Sequence, residues 1–199
     1  MFIRVWIEAI APGSGTGADA VPGYKHGVAF STPEDKILLR FTHAIKTKYD
    51  QYQEGLKKGI INENEPYIIA VNGGGVCHSV PEKGVPYIVR SLFPYGNQVI
   101  VFDKKSWKQV DSFHEYRDTI NKINGEPVQT NFFEDKTYSG ISAVIYSYSN
   151  GVIHPKKIGV EIHFVHNPLA ENKLPHGIFQ FGREWWAEND ELKCKEWSQ

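Results

Sequence analysis

Glu8 lies at the centre of the most apolar run near the N-terminus, which extends from Phe2 to Ile10. This run is rich in β-branched and aromatic residues, and it predicts a strand that is buried on both faces. Burying an unpaired carboxylate is costly, so Glu8 must be paired with a cation, bound to a metal or protonated. Glu8 is therefore the first candidate for a functional group.

Lys48 is the candidate partner of Glu8, because it belongs to a predicted amphipathic helix. Thr32 as N-cap, Pro33 and the C-capping Gly59 predict a helix that ends near residue 58. Lys48 falls within its apolar stripe, which contains Ile37, Leu38, Phe41, Ile45, Tyr52 and Leu56. Two interpretations stay open: Lys48 extends its ammonium to water from the edge of the stripe, or it reaches Glu8 beneath the helix.

A strand carboxylate, a neighbouring acid and a lysine are the groups that metal-dependent phosphodiester hydrolysis requires. The acids hold Mg²⁺, which activates water and neutralises developing charge. The lysine orients water or stabilises the oxyanion. Glu8 would be a metal ligand and Lys48 a catalytic residue, and Asp19 is the candidate second acid because it follows the strand closely.

The predicted elements place these residues in an α/β fold. An apolar strand at 67–71 follows the helix, so strand, helix and strand form a parallel crossover that lays Lys48 over Glu8. Two further strands at 141–148 and 159–166 predict an antiparallel pair. We therefore expect a mixed sheet, a long helix crossing over it and a C-terminal antiparallel strand pair.

We expect the 199 residues to form a single domain. Its core would comprise residues 1–102, and the strand pair with an aromatic region would occupy 138–187. Residues 188–199 are charged and predict a fraying tail.

Composition limits the classes of function. The chain is 41% hydrophobic and 23% charged, which is a globular, soluble profile, and its net charge of −1 opposes a large basic nucleic-acid surface but allows a local one. The two cysteines, Cys77 and Cys194, have no zinc-finger spacing and indicate a reducing compartment. No apolar run is long enough for a membrane span and no signal-peptide pattern is present, so we expect a cytoplasmic protein.

Two minor alternatives use other residues. His163 and His166 point to opposite faces of a strand, so with His154 and His176 they would form a metal cluster only if the strand bends. A small-molecule enzyme would instead use the Gly-rich segments at 11–17 and 73–75, which follow predicted strands.

Several short motifs resemble a known family. Trp6-Ile7-Glu8-Ala9, a Gly-containing loop and Lys48-x-x-x-Tyr52 are similar to the rear half of the PD-(D/E)XK nuclease-like fold, in particular to uncharacterised bacterial members. Residues 140–144 and 166–170 are similar to C-terminal parts of those proteins. The resemblance extends over most of the chain.

The resemblance implies a restriction-endonuclease-like core related to metal-dependent nucleases that act on nucleic acid. Glu8 would bind Mg²⁺, Lys48 would stabilise charge and Tyr52 would position them. The family's aspartate usually lies on a hairpin before the Glu strand, where only Met1 stands here, so Asp19 or Asp103 would replace it. We therefore expect an incomplete core, which would be inactive if the chain is truncated.

A non-catalytic interaction domain is the alternative. Glu8 and Lys48 would then form a buried ion pair without chemistry. The C-terminal aromatic region, with Trp185 and Trp186, would bind a protein partner or a second copy of the chain.

Overall fold

The structure, a computed structural model, describes residues 3–24, 26–27, 29, 31–80, 84–152, 155 and 159–197. In chain order its elements are β1 (Trp6–Ile10), α1 (Glu34–Lys57), β2 (Tyr67–Asn72), α2 (Tyr87–Arg90), β3 (Tyr95–Phe102), β4 (Gln109–Tyr116), β5 (Thr119–Asn121), β6 (Pro127–Gln129), β7 (Ile141–Ser147), β8 (His163–His166), β9 (Gly182–Glu188) and β10 (Glu191–Trp197).

The main sheet has six strands in the order β1-β2-β7-β8-β9-β10. Strands β1, β2 and β7 are parallel, whereas β8 is antiparallel to β7 and parallel to β9, and β10 is antiparallel to β9. The predicted mixed α/β sheet and the antiparallel pair are therefore confirmed. The second strand of that pair is shorter than predicted, because residues 159–162 form a turn closed by the Ile162 amide donating to Gly159 O.

The long helix α1 lies on one face of the sheet, and its prediction is confirmed to within a few residues. Gly59 ends the helix in the left-handed region, with φ of 67°, and its amide donates to Leu56 O. The predicted side-chain cap by Thr32 is wrong. The Glu34 amide donates to the backbone carbonyl of Thr32, and no side chain caps the helix.

Strand β1 lies at an edge of the sheet, so the prediction that it is buried on both faces is wrong. Trp6, Glu8 and Ile10 point toward α1 and are half-buried. Ile7 points the other way and is 51% exposed. An apolar run cannot by itself distinguish an edge strand from a central one, because that difference depends on which other strands are adjacent.

The second face of the sheet is covered by the segment between β8 and β9. Leu174 from this segment packs with Ile68 of β2 and Ala143 of β7. Phe179 stacks on Phe164 of β8 at 4.6 Å between ring centroids. This layer gives the sheet a second, smaller core.

Residues 191–197 form β10 rather than the predicted fraying tail, whose last two positions, 198–199, lie outside the described residues. Strands β9 and β10 pair over seven positions on each side of a two-residue turn. Asn189 and Asp190 both have positive φ, 53° and 60°, which is the geometry of a type I′ hairpin. The alternation of charged and apolar residues at 191–197 matches an edge strand.

Strands β3 and β4 form an antiparallel hairpin that is not part of the main sheet. Asp103 organises its turn by accepting hydrogen bonds from the Lys105 and Ser106 amides and from the Ser106 hydroxyl. Trp107 beside it is 78% exposed. The structure therefore places Asp103, one of the two acids considered as a replacement for the family's aspartate, within a turn of its own.

No helix in the described part of the chain has both the length and the apolar character needed to cross a membrane.

Gly182 begins β9 where the backbone passes close to the turn before β8. Its φ is 74°, and an added Cβ would overlap Ile162 O and lie 2.9 Å from Gly159 O. We expect Gly182→Ala to lower the free energy of unfolding by about 2–5 kcal/mol, because left-handed strain and steric overlap add together. Chemical denaturation measures this loss.

Gly125 is the matched control, since it has φ of 84° but no atom within 4 Å of an added Cβ. Gly125→Ala should cost only the strain, about 1–2 kcal/mol. Equal losses in the two variants would contradict the close approach at Gly182.

Candidate functional site

Glu8 and Lys48 meet between β1 and α1. Lys48 Nζ lies 3.5 Å from Glu8 Oε2, and the two side chains are 17% and 25% exposed, respectively. The structure confirms this contact and answers the question that the helical stripe left open, because Lys48 reaches the carboxylate rather than only water. Their catalytic roles stay predictions.

Two further polar groups complete this neighbourhood. Gln51, one turn along α1, accepts a hydrogen bond of 2.8 Å from Lys48 Nζ. The Tyr67 hydroxyl donates to the Lys48 carbonyl at 3.1 Å. Burial raises the pKa of Tyr67, and the negative charge of Glu8 beside it raises that pKa further. The Tyr67 hydroxyl therefore stays protonated and donates to the backbone of Lys48, the residue that pairs with Glu8.

Tyr52 adjoins this group through Tyr67. Its ring is 2% exposed and stacks on the Tyr67 ring at 4.3 Å between centroids. Gly140 leaves room for it, because a Cβ there would lie 2.6 Å from Tyr52 Cε1. Tyr52 thus sets the position of Tyr67, and through it that of Lys48 and Glu8.

Asp19 lies in another part of the molecule. Its carboxylate accepts a hydrogen bond of 2.8 Å from the Ile123 amide, in the turn between β5 and β6. The adjacent Ala18 carbonyl is bound by Lys36, which precedes Lys48 by about 18 Å along the helix axis. The structure therefore does not bring Asp19 to Glu8 as a second acid.

A second polar group occurs at the other side of the sheet. His166 ends β8, Glu184 lies in β9 and His176 comes from the segment between them; we call these three residues the histidine–glutamate cluster. Glu184 Oε1 lies 2.8 Å from His166 Nε2 and 3.4 Å from His176 Nδ1. Among the described residues, this cluster is the group in which three metal-ligand atoms converge.

Glu184 is buried, with 2% of its surface exposed, yet it stays ionised. Burial alone would raise its pKa, but the N–H groups of Gly177, Trp197 and His166 donate to its oxygens and hold the pKa below its usual value. Burial lowers the pKa of His166, and the charge of Glu184 opposes this shift only partly. A neutral His166 therefore donates Nε2–H to a charged carboxylate.

His163 belongs to the opposite face of β8. The Trp185 indole donates to its Nδ1 at 3.1 Å, and its ring is 1% exposed. His163 and His166 therefore do not converge, as their spacing on a strand predicted. His154, the remaining histidine of the alternative metal cluster, lies outside the described residues.

Tyr67 and Glu184 were missed by the sequence analysis. Tyr67 is the first residue of an otherwise apolar strand, and its hydroxyl could have predicted a polar contact at that position. Glu184 stands beside two tryptophans in a strand, as Glu8 stands beside Trp6, and the same argument about a buried carboxylate applies to it.

Comparisons with known proteins assign no family. No protein-family model matches the chain, and no curated protein or solved structure matches it either.

The stability of the fold should decrease below neutral pH because of His163. Burial, and then the charge of Arg183, lower its pKa to about 4, so below about pH 6.5 the unfolded chain binds a proton that the folded chain does not. We expect the free energy of unfolding to fall by about 2 kcal/mol from this group between pH 7 and pH 5. His166 acts in the same direction.

Denaturation curves at several pH values test this expectation. His163→Gln keeps an acceptor for the Trp185 indole and should reduce the pH dependence by that amount. His43→Gln changes an exposed histidine of α1 and serves as the control. An unchanged slope in His163→Gln would show that another group carries the effect.

Proposed function

We propose that this chain is a PD-(D/E)XK-like domain related to metal-dependent nucleases, with Glu8 and Lys48 at its phosphodiester-binding site. The supporting observation is the 3.5 Å contact between the two side chains across a parallel strand–helix–strand unit. A carboxylate and an ammonium in this arrangement can bind a cation and a phosphate oxygen side by side.

The edge position of β1 supports access to this site. Glu8 keeps a quarter of its side chain exposed, so a hydrated ion can approach the carboxylate without unfolding the strand. Mg²⁺ is commonly bound through one or two carboxylates together with substrate phosphates and water. Glu8 would supply the one carboxylate that such a site needs as a minimum. Mg²⁺ would supply a polarised water and neutralise charge on the phosphate.

The chain's own residues would position and stabilise charge. Lys48 Nζ can exchange part of its contact with Glu8 for a phosphate oxygen, while Gln51 holds the ammonium in place. The Tyr67 hydroxyl donates to the backbone carbonyl of Lys48 and so fixes the helix at that residue. Because Asp19 is engaged at Ile123, a single acid would make metal binding weak, and we expect cleavage only at millimolar Mg²⁺ or Mn²⁺.

Nucleic acid is the proposed substrate, with a local rather than a global basic surface. The net charge of −1 leaves no excess of positive charge. The tip of the β3–β4 hairpin carries Lys104, Lys105 and Lys108 around the exposed Trp107, a combination that suits phosphate contacts and base stacking.

Cleavage assays with single- and double-stranded DNA and RNA test the proposal. Glu8→Gln and Lys48→Met should each lower the Mn²⁺-dependent rate by about 100-fold or more, because each removes a charge aimed at the reacting phosphate. Unfolding curves recorded for the same preparations separate lost chemistry from lost folding.

The control pair lies at the C-terminal end of the same helix, where Lys58 is the C-cap. Glu54 and Lys58 are also 3.5 Å apart but are largely exposed. Glu54→Gln and Lys58→Met should leave the rate unchanged. Cleavage that survives in Glu8→Gln would remove Glu8 from the mechanism, and no cleavage of any substrate by the unmodified chain would refute an active nuclease.

A non-catalytic interaction domain is the second candidate, and exposed apolar side chains favour it. They lie on the β3–β4 hairpin, where Phe102, Trp107 and Val110 are 50%, 78% and 63% exposed. Trp185 of the C-terminal aromatic region is buried, with 7% exposed. Self-association through the hairpin would cover a surface that a monomer exposes to water.

Light scattering over a range of protein concentrations tests this candidate. We expect a dimer that dissociates in Trp107→Ser and Phe102→Ser, because each change removes an apolar contact from the hairpin. Ile60→Ser is the control, as Ile60 is 61% exposed but follows α1. A strict monomer at every concentration would contradict the homodimer.

A further inference from the structure

The histidine–glutamate cluster has the ligand spacing of a metal centre. Its three ligand atoms all lie within 4.8 Å of one another, with 2.8 Å and 3.4 Å from Glu184 Oε1 to the two imidazole nitrogens. In a tetrahedral zinc site with bonds of about 2.0–2.1 Å, neighbouring ligand atoms are about 3.3 Å apart. An ion therefore fits after shifts of less than about an ångström, and His176, which is 56% exposed, is free to make them.

The carboxylate is already oriented toward the two imidazoles. The Trp197 indole donates to Glu184 Oε2 at 3.0 Å, and the Gly177 amide donates to Oε1 at 2.8 Å. Such outer contacts fix the direction of a ligand and are typical of metal centres in proteins. Gly177 also follows His176 directly, so the same contact holds the loop that carries the exposed histidine.

The cluster opens onto a cleft. This space, of about 170 Å³, is bounded by His166 and His176 together with Lys173, Trp186 and Glu188. An ion held by the cluster would lie at the wall of the cleft, with one coordination position directed into it. Three protein ligands and one open position are the arrangement of zinc sites that bind water or a small ligand.

We propose that His166 Nε2, His176 Nδ1 and the Glu184 carboxylate bind a divalent transition-metal ion, with Zn²⁺ as the best fit. Two imidazoles and one carboxylate favour Zn²⁺ and its neighbours, whereas Mg²⁺ and Ca²⁺ prefer oxygen ligands only. The open position would take water or a small ligand from the cleft, whose lining includes a residue of each charge, Lys173 and Glu188.

This centre is independent of Glu8 and Lys48. Glu8 points toward α1, whereas His166 and Glu184 lie on the other face of the sheet, the face on which Phe164 meets Phe179. Strands β1 and β8 are three positions apart in the sheet, or about 14 Å. Loss of one site should therefore leave the other intact.

Metal titration of the full chain, prepared without a histidine tag and stripped with a chelator, tests the proposal. We expect calorimetry to give one Zn²⁺ per chain, and Co²⁺ to give the visible absorption of a tetrahedral ion. Mg²⁺ at the same concentration should not compete. His176→Ala should weaken Zn²⁺ binding by more than about 100-fold, since loss of a ligand exceeds the loss from an outer contact.

Two further variants, compared with His176→Ala, separate this site from adventitious binding. His43→Ala removes an exposed histidine of α1 and should leave affinity unchanged. Trp197→Phe removes the donor to Glu184 Oε2 and should weaken binding by about 10-fold while one ion per chain is retained. Circular dichroism verifies that each variant is folded, and His176 is exposed enough for its removal to be tolerated.

Several results would overturn the proposal. They are the absence of Zn²⁺ binding by the unmodified chain, equal affinities in His176→Ala and His43→Ala, and an octahedral Co²⁺ spectrum that does not change when His176 is replaced. A Zn²⁺ affinity that survives in His176→Ala would likewise place the ion elsewhere on the chain.

Discussion

The ion pair between Glu8 and Lys48 is the contact on which the proposed chemistry depends. A parallel crossover lays α1 across β1 and β2, and the apolar stripe of that helix carries an ammonium toward the sheet. A carboxylate beneath it compensates the charge at a distance of 3.5 Å. Because both groups keep some exposure, their desolvation costs less than it would in the centre of the core.

The edge position of β1 explains why a carboxylate is tolerated in so apolar a strand. A central strand would bury Glu8 on both sides, whereas at the edge one quarter of its side chain meets water. The same position leaves Ile7 half exposed, and among the described residues no strand pairs with the outer side of β1. The edge position of β1 therefore explains both why the charge of Glu8 is tolerated and why solvent reaches it.

The sheet separates two polar regions of different chemistry. On the face covered by α1, Glu8 pairs with the Lys48 ammonium, which also donates to the Gln51 amide oxygen, and this is the proposed phosphate site. On the other face, two imidazoles converge on Glu184, which suits a transition metal. Each region contains a carboxylate in a strand that also contains tryptophan. Lys48 stabilises Glu8, and the N–H groups of Gly177 and Trp197 stabilise Glu184.

Much of the architecture follows from local patterns. The 3.6-residue period of α1, its C-terminal Gly59 and the apolar strands β2 and β7 are short-range features, and they were predicted to within a few residues. The contact of Lys48 with Glu8 was one of the two interpretations that the sequence left open, and the structure bears it out. The tail was predicted wrongly, because the turn at Asn189 and Asp190 was not recognised as a hairpin.

The sequence by itself determined the long helix α1 and the apolar strands β2 and β7, and it showed that Glu8 needed a partner, since these features depend on residues close together in the chain. The tertiary structure alone decided that β1 lies at an edge, that Asp19 lies away from Glu8 and that Glu184 meets two histidines. These outcomes depend on strand order and on the path of long connections. Residues that are far apart in the chain come together because of how the whole sheet packs. Local sequence periodicity therefore cannot predict these contacts.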